Sequence, residues 1–126
     1  MSPTHTVVWI DHHSAQILQF DGTQVEAQQI RTHQHHTRQH GSTVRTEHEF
    51  FGEVCDGLLG IGEVLVTGGH TATSDFKHYA EKHRPAIAKS LVGYEIVDRV
   101  SGNQLVSLAR KYFTAHDAAA NRATPN

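Results

Sequence analysis

Short apolar runs open the chain. Thr6 to Ile10 is β-branched and apolar, and Ala15 to Phe20 sets Ile17 and Leu18 among Gln16 and Gln19 before the turn Asp21-Gly22. This is the pattern of two strands joined through Asp11-His12-His13-Ser14. Thr23 to Ile30 resumes as a third strand, with Val25 and Ala27 on one face and Ile30 or Gln29 completing the alternation, so the chain should begin as an antiparallel meander. Thr32 to Thr43 carries no periodic apolar residue and reads as a loop.

The period then changes. Phe50, Phe51, Val54, Cys55, Leu58 and Leu59 recur at three and four residues, which predicts a helix from Thr46, where Thr46 and Glu49 have capping-box spacing. Gly60 and Gly62 supply its stop. Val64 to Val66 is a short buried strand, Gly68-Gly69 a turn, and Thr71, Thr73 or Ser74 a cap for a second helix. That helix carries Phe76, Tyr79, Ala80 and His83 on one face and ends near Arg84-Pro85, because proline disfavours helix in the residue before it. Leu91 to Val97 is the last strand. After Ser101-Gly102-Asn103, Leu105, Leu108, Ala109, Tyr112 and Phe113 define a final amphipathic helix that must lie on the sheet. The expected order is βββαβαβα: an α/β protein, a three-layer sandwich with a mixed β-sheet, its second half wound as right-handed β-α-β units. Residues 1–116 make one domain, and 117–126, small, polar and proline-containing, a flexible tail.

Composition narrows the class. A chain of 126 residues suits one domain, and a single cysteine, Cys55, excludes an internal disulfide framework and fits a reducing compartment. The first residues lack the charged, apolar and small-residue succession of a signal peptide, and no apolar run approaches membrane-spanning length, so a soluble cytoplasmic protein without a membrane partner is expected. Formal charge is −2 with histidines neutral, and protonating all twelve would carry it to +10. Binding to a polyanion should therefore strengthen as pH falls through about 6.5. The charge is also uneven. Arg31 to Arg45 holds three Arg, four His and no acid, so a basic loop sits on an otherwise acidic domain.

Two stretches carry candidate chemistry. The turn Gly68, Gly69, His70, Thr71 and Thr73 could cradle an RNA phosphate on a helix start, with His70, Thr71 and Thr73 donating from side chains; alternatively the glycines only let a strand turn sharply into a helix. In the basic loop Arg31, Arg38 and Arg45 offer bidentate forks to backbone phosphates, while His33, His35, His36 and His40 could wrap zinc, nickel or copper. Asp11-His12-His13 matches a signature of metal-dependent phosphoesterases, but those enzymes need several more acids. A hairpin turn in which Asp11 bonds nearby backbone N–H groups accounts for it. Cys55 and Ser14 have no base partner in sequence, so nucleophilic catalysis finds no support.

With these residues placed, Val7 to Phe113 resembles the third, C-terminal domain of the archaeal and eukaryotic peptide-chain release factor and of the ribosome-rescue protein Pelota, through small bacterial proteins related to them. The landmarks are Trp9-Ile10-Asp11-His12 with Ala15, Phe50-Phe51-Gly52-Glu53-Val54, Val64-Leu65-Val66-Thr67-Gly68, and Phe76. Glu81-Lys82-His83, Asp98, Gln104-Leu105-Val106 and Ala109-Arg110-Lys111-Tyr112-Phe113 complete them. The family turn reads glycine, proline, glycine, then a lysine and an acid before phenylalanine. Here Gly69 stands for the proline, His70 for the second glycine and Thr73 for the lysine, while Asp75 keeps the acid. The resemblance implies a fold similar to the ribosomal proteins that bind kink-turn RNA and a non-enzymatic role around translation, with the ribosome, RNA or a translation factor as partner and no required cofactor. Gly68-Gly69-His70 is not the Gly-Gly-Gln triplet of peptide release. Two other classes stand beside this one: a metal-binding protein or metal-dependent hydrolase using the histidines, and a protein–protein adaptor docking through a sheet edge.

Overall fold

A computed structural model describes residues 5–21, 23–31, 42–98 and 100–123, with residues 42–46 and 117–123 described as backbone only. The three opening strands are β1 (His5–Ile10), β2 (Ser14–Phe20) and β3 (Val25–Arg31). They form the expected antiparallel meander, with Val8 opposite Ile17 and Leu18 opposite Ala27. Between β2 and β3 the Asp21 carboxylate accepts the N–H groups of Thr23 at 2.8 Å and Gln24 at 2.7 Å, and these bonds hold its carboxyl below the usual range. Helix α1 (Ser42–Gly57) follows, then β4 (Val64–Gly68), α2 (His70–His83), α3 (Pro85–Ser90), β5 (Leu91–Ile96) and α4 (Gly102–Ala123).

The five strands make one mixed sheet in the order β3-β2-β1-β4-β5, with β1, β4 and β5 parallel. Alternation along each strand sorts side chains onto two faces. Val8, Ile10, Ala15, Ile17, Val64 and Val66 meet Phe50, Phe51 and Val54 of α1, Leu58 just past its end, Phe76 and Ala80 of α2, and Ile87 of α3. On the opposite face Val7, Leu18, Phe20 and Leu65 meet Leu105, Val106, Ala109 and Phe113 of α4. The α/β sandwich with three layers and a mixed sheet is therefore the observed architecture. No described helix is long and apolar enough to cross a membrane.

Four details differ from expectation. Helix α1 begins at Ser42 rather than Thr46, and Leu59, expected on its buried face, lies beyond its end and is 63% exposed. The second helix ends at His83 as predicted, but the chain immediately starts α3, because Pro85 is tolerated at a first helical position where no N–H is needed. The element order is thus βββαβααβα. Helix α4 runs to Ala123, through most of the stretch expected as a tail. Its start is fixed by a reciprocal pair: Ser101 Oγ accepts from Gln104 N at 3.2 Å and Gln104 Oε1 accepts from Ser101 N at 3.0 Å.

Two predictions concern this packing. Tyr112 on α4 donates its hydroxyl to Val92 O at 3.0 Å, and its phenol fills the space above Gly93, where a Cβ would collide with the ring. Gly93→Ala should cost about 1–3 kcal/mol in urea denaturation, and most of that cost should vanish in a Tyr112→Ala background; an equal cost in both would show that the ring is not the obstacle. Burial pushes the Cys55 thiol up to about 11. The folded state then holds this proton more tightly than the unfolded chain, so its contribution to stability is complete below the ordinary thiol range and is lost as pH rises through about 11. At pH 8 a thiol reagent should label native protein only as fast as it unfolds, with urea accelerating the reaction.

Candidate functional site

The carboxyl ends of the parallel strands emerge along one edge of the sheet, where Ile10 pairs with Gly68 and Gly68 with Ile96. Arg31 ends β3 opposite Ser14, so it reaches the same edge. From β1 the chain turns to β2 on one side, and from β4 it passes through α2 and α3 to β5 on the other.

Gly68 has a local reason. It adopts φ +138°, and a Cβ there would run into the Ile10 carbonyl oxygen on the paired strand. Only glycine lets β4 stay in register with β1 while turning toward α2. Its own carbonyl accepts Val97 N at 2.9 Å, which carries the end of β5 into the same edge. Gly69 is the extended N-cap of α2 and has no side-chain cap bond.

Thr73, expected both as a cap and as a phosphate donor, is buried and points back into its own helix. Its Oγ1 donates toward Gly69 O at 2.9 Å and His70 O at 3.0 Å, so the hydroxyl is committed to the helix start. Thr71 and Ser74 do not cap α2 either, since the helix already begins at His70. His70 and Thr71 are exposed in its first turn. The side-chain part of the expected cradle is therefore reduced to these two residues.

The Asp11 turn is ordered as anticipated. Asp11 Oδ1 accepts His13 N at 2.7 Å and Ser14 N at 2.6 Å, and Asp11 N donates to Ser14 O at 2.9 Å. This turn presents His12, whose Nε2 lies 3.2 Å from Asp75 Oδ2 on α2. Glu47 of α1 joins them, and one ligand-type atom from each of the three lies within 4.8 Å of the others. Glu47 and Asp75 also line a cleft of about 290 Å³ along α1 and α2, together with His48, His78, Tyr79 and Lys82. Inside it the His48 and Tyr79 rings are 5.4 Å apart and Tyr79 and His83 4.9 Å, a half-exposed aromatic surface.

Of the other residues singled out from sequence, Arg45 belongs to α1 as backbone only, and Arg38, His33, His35, His36 and His40 lie outside the described residues. The described anchors of that basic stretch, Arg31 and Ser42, belong to β3 and α1. Sequence reading missed His12 with Glu47 and Asp75. The Asp11-His12-His13 pattern was its one visible hint, and nothing local links Glu47 to Asp75.

The sequence matches no protein-family model and no curated protein. Solved structures are similar. Pelota from Archaeoglobus fulgidus superposes with a TM-score of 0.62 at 20% identity, covering 88% of this chain and 32% of that one. Pelota from Thermoplasma acidophilum gives 0.60 at 15% identity over 81% of this chain and 30% of its own. An archaeal translation termination factor, aRF1, gives 0.61 at 17% identity over 94% and 42%. The chain therefore spans less than half of each of these proteins, and at such identities the likeness is one of fold. In its mixed five-stranded sheet and covering helices, it resembles a domain-sized part of Pelota and of the archaeal release factor.

Proposed function

We propose that this protein is a non-enzymatic, cytoplasmic binding domain that associates with the translation machinery by contacting RNA of the ribosome. The observation that carries the reading is the shared fold with Pelota and with a translation termination factor over 81–94% of this chain. The sheet edge supports it. Arg31 and the exposed first turn of α2, with His70 and Thr71, reach that edge, and Arg31 opens the acid-free stretch that also contains Arg38 and Arg45. Arginine forks suit phosphate oxygens, and the backbone N–H groups after Gly69 add a positive helix end. Contact of this kind positions a backbone without reading sequence.

Co-sedimentation of tag-free protein with ribosomes tests it. If the three arginines each meet a phosphate, affinity should fall roughly 20-fold between about 50 and 200 mM salt. Arg31→Ala, Arg38→Ala and Arg45→Ala should each flatten that dependence, and association should strengthen as pH drops through about 6.5 and histidines charge. Absence of association at low salt would overturn the proposal. Association indifferent to salt would replace RNA with a protein partner, for which β3 offers an edge strand with Val25 to Gln29 exposed.

A further inference from the structure

We propose that His12, Glu47 and Asp75 form a binding site for a divalent transition-metal ion of the zinc class. The three come from the β1–β2 turn, α1 and α2, and only the fold brings them together. One imidazole nitrogen with two carboxylate oxygens is a donor set that zinc and cobalt accept, whereas magnesium and calcium favour oxygen alone. Ligand atoms sharing a tetrahedral zinc ion stand about 3.3 Å apart, given bonds of about 2.0–2.1 Å. His12 Nε2 and Asp75 Oδ2 are already 3.2 Å apart, and no pair in the cluster exceeds 4.8 Å. The remaining closure is about 1.5 Å, within reach of carboxylate rotation.

The ligands stand on rigid supports, which is what a metal site requires. His12 is held by the bonds from His13 and Ser14 N–H groups to Asp11. Glu47 lies one helical turn before Phe51, and Asp75 directly precedes Phe76. Those two buried rings meet edge to face at 5.5 Å, so the contact that joins α1 to α2 also fixes the backbone beneath both carboxylates. Three protein ligands leave zinc a further coordination position. An ion held here borders the cleft that Glu47 and Asp75 line, whose wall also carries His78 and Lys82. The site is built from residues other than the four histidines between Arg31 and Ser42, and the proposal does not depend on a role in translation.

Because His33, His35, His36 and His40 could take up zinc on their own, the test starts from full-length, tag-free protein with all four changed to glutamine. After stripping with a chelator, calorimetric titration with Zn²⁺ should show one ion per chain. In this background His12→Gln, Glu47→Gln and Asp75→Asn should each weaken binding by at least about tenfold, and the absorption bands of Co²⁺ should lose intensity in parallel. All three side chains are at least partly exposed, and far-UV circular dichroism of the metal-free variants checks their fold; if one fails to fold, the other two decide. Failure of the four-glutamine protein to bind Zn²⁺ would overturn the proposal, and so would unchanged affinity in the folded site variants.

Discussion

Strand β1 is paired on both sides and covered on both faces, and every other element takes its place from that strand. It runs antiparallel to β2 and parallel to β4, so the meander and the β-α-β half of the chain meet along it. Val7 faces α4 while Val8 and Ile10 face the other helices, and all three are fully buried. Near the sheet centre a threonine hydroxyl is satisfied across the pair, Thr67 Oγ1 donating to Val8 O at 2.8 Å. The pairing ends where Gly68 passes beneath the Ile10 carbonyl, an approach that excludes any side chain at that position. The main constraint of the fold and its candidate site therefore share one pair of residues.

From that point the geometry of the edge follows. The chain leaving Ile10 is turned back by Asp11, and the chain leaving Gly68 enters α2, so His12 and the first turns of α2 are neighbours by construction. Helix α1 is drawn against α2 by the Phe51–Phe76 contact, and Arg84 Nη2 ties the far end of α2 to Asp56 Oδ1 at 2.8 Å. Burial of two phenylalanines, worth about 2–3 kcal/mol each, dominates that association. The half-exposed ion pair adds little.

Much of this was legible in the sequence, and the exceptions have physical reasons. The strands and the faces of α1 and α4 follow from apolar spacing, and the Asp11 turn from the chemistry of an Asx side chain. Thr73 was misread because a threonine in the first turn can cap, bind a ligand or bond back to its own helix, and spacing alone does not separate these. The start of α1 fell in a polar stretch with no periodicity to mark it, and α3 sits behind a proline that can end one helix and begin another. Ser101 and Gln104 had capping-box spacing and were findable. The convergence of His12, Glu47 and Asp75 was not, since it depends on how α1 and α2 dock on the sheet.

The same edge carries charge of both signs, and this bears on what it can bind. The stretch from Arg31 to Arg45 is free of acids, but Glu47 follows two residues later and Asp75 stands on the neighbouring helix. A phosphate backbone brought to this edge by Arg31 would meet both carboxylates as well, and like charges would oppose it. A divalent ion on the three residues would relieve it with two positive charges. If both proposals hold, metal and RNA binding at this edge should favour each other, because whatever the ion contributes to RNA affinity the RNA must return to ion affinity. If the edge instead receives a neutral protein surface, the two carboxylates cost nothing and the coupling disappears.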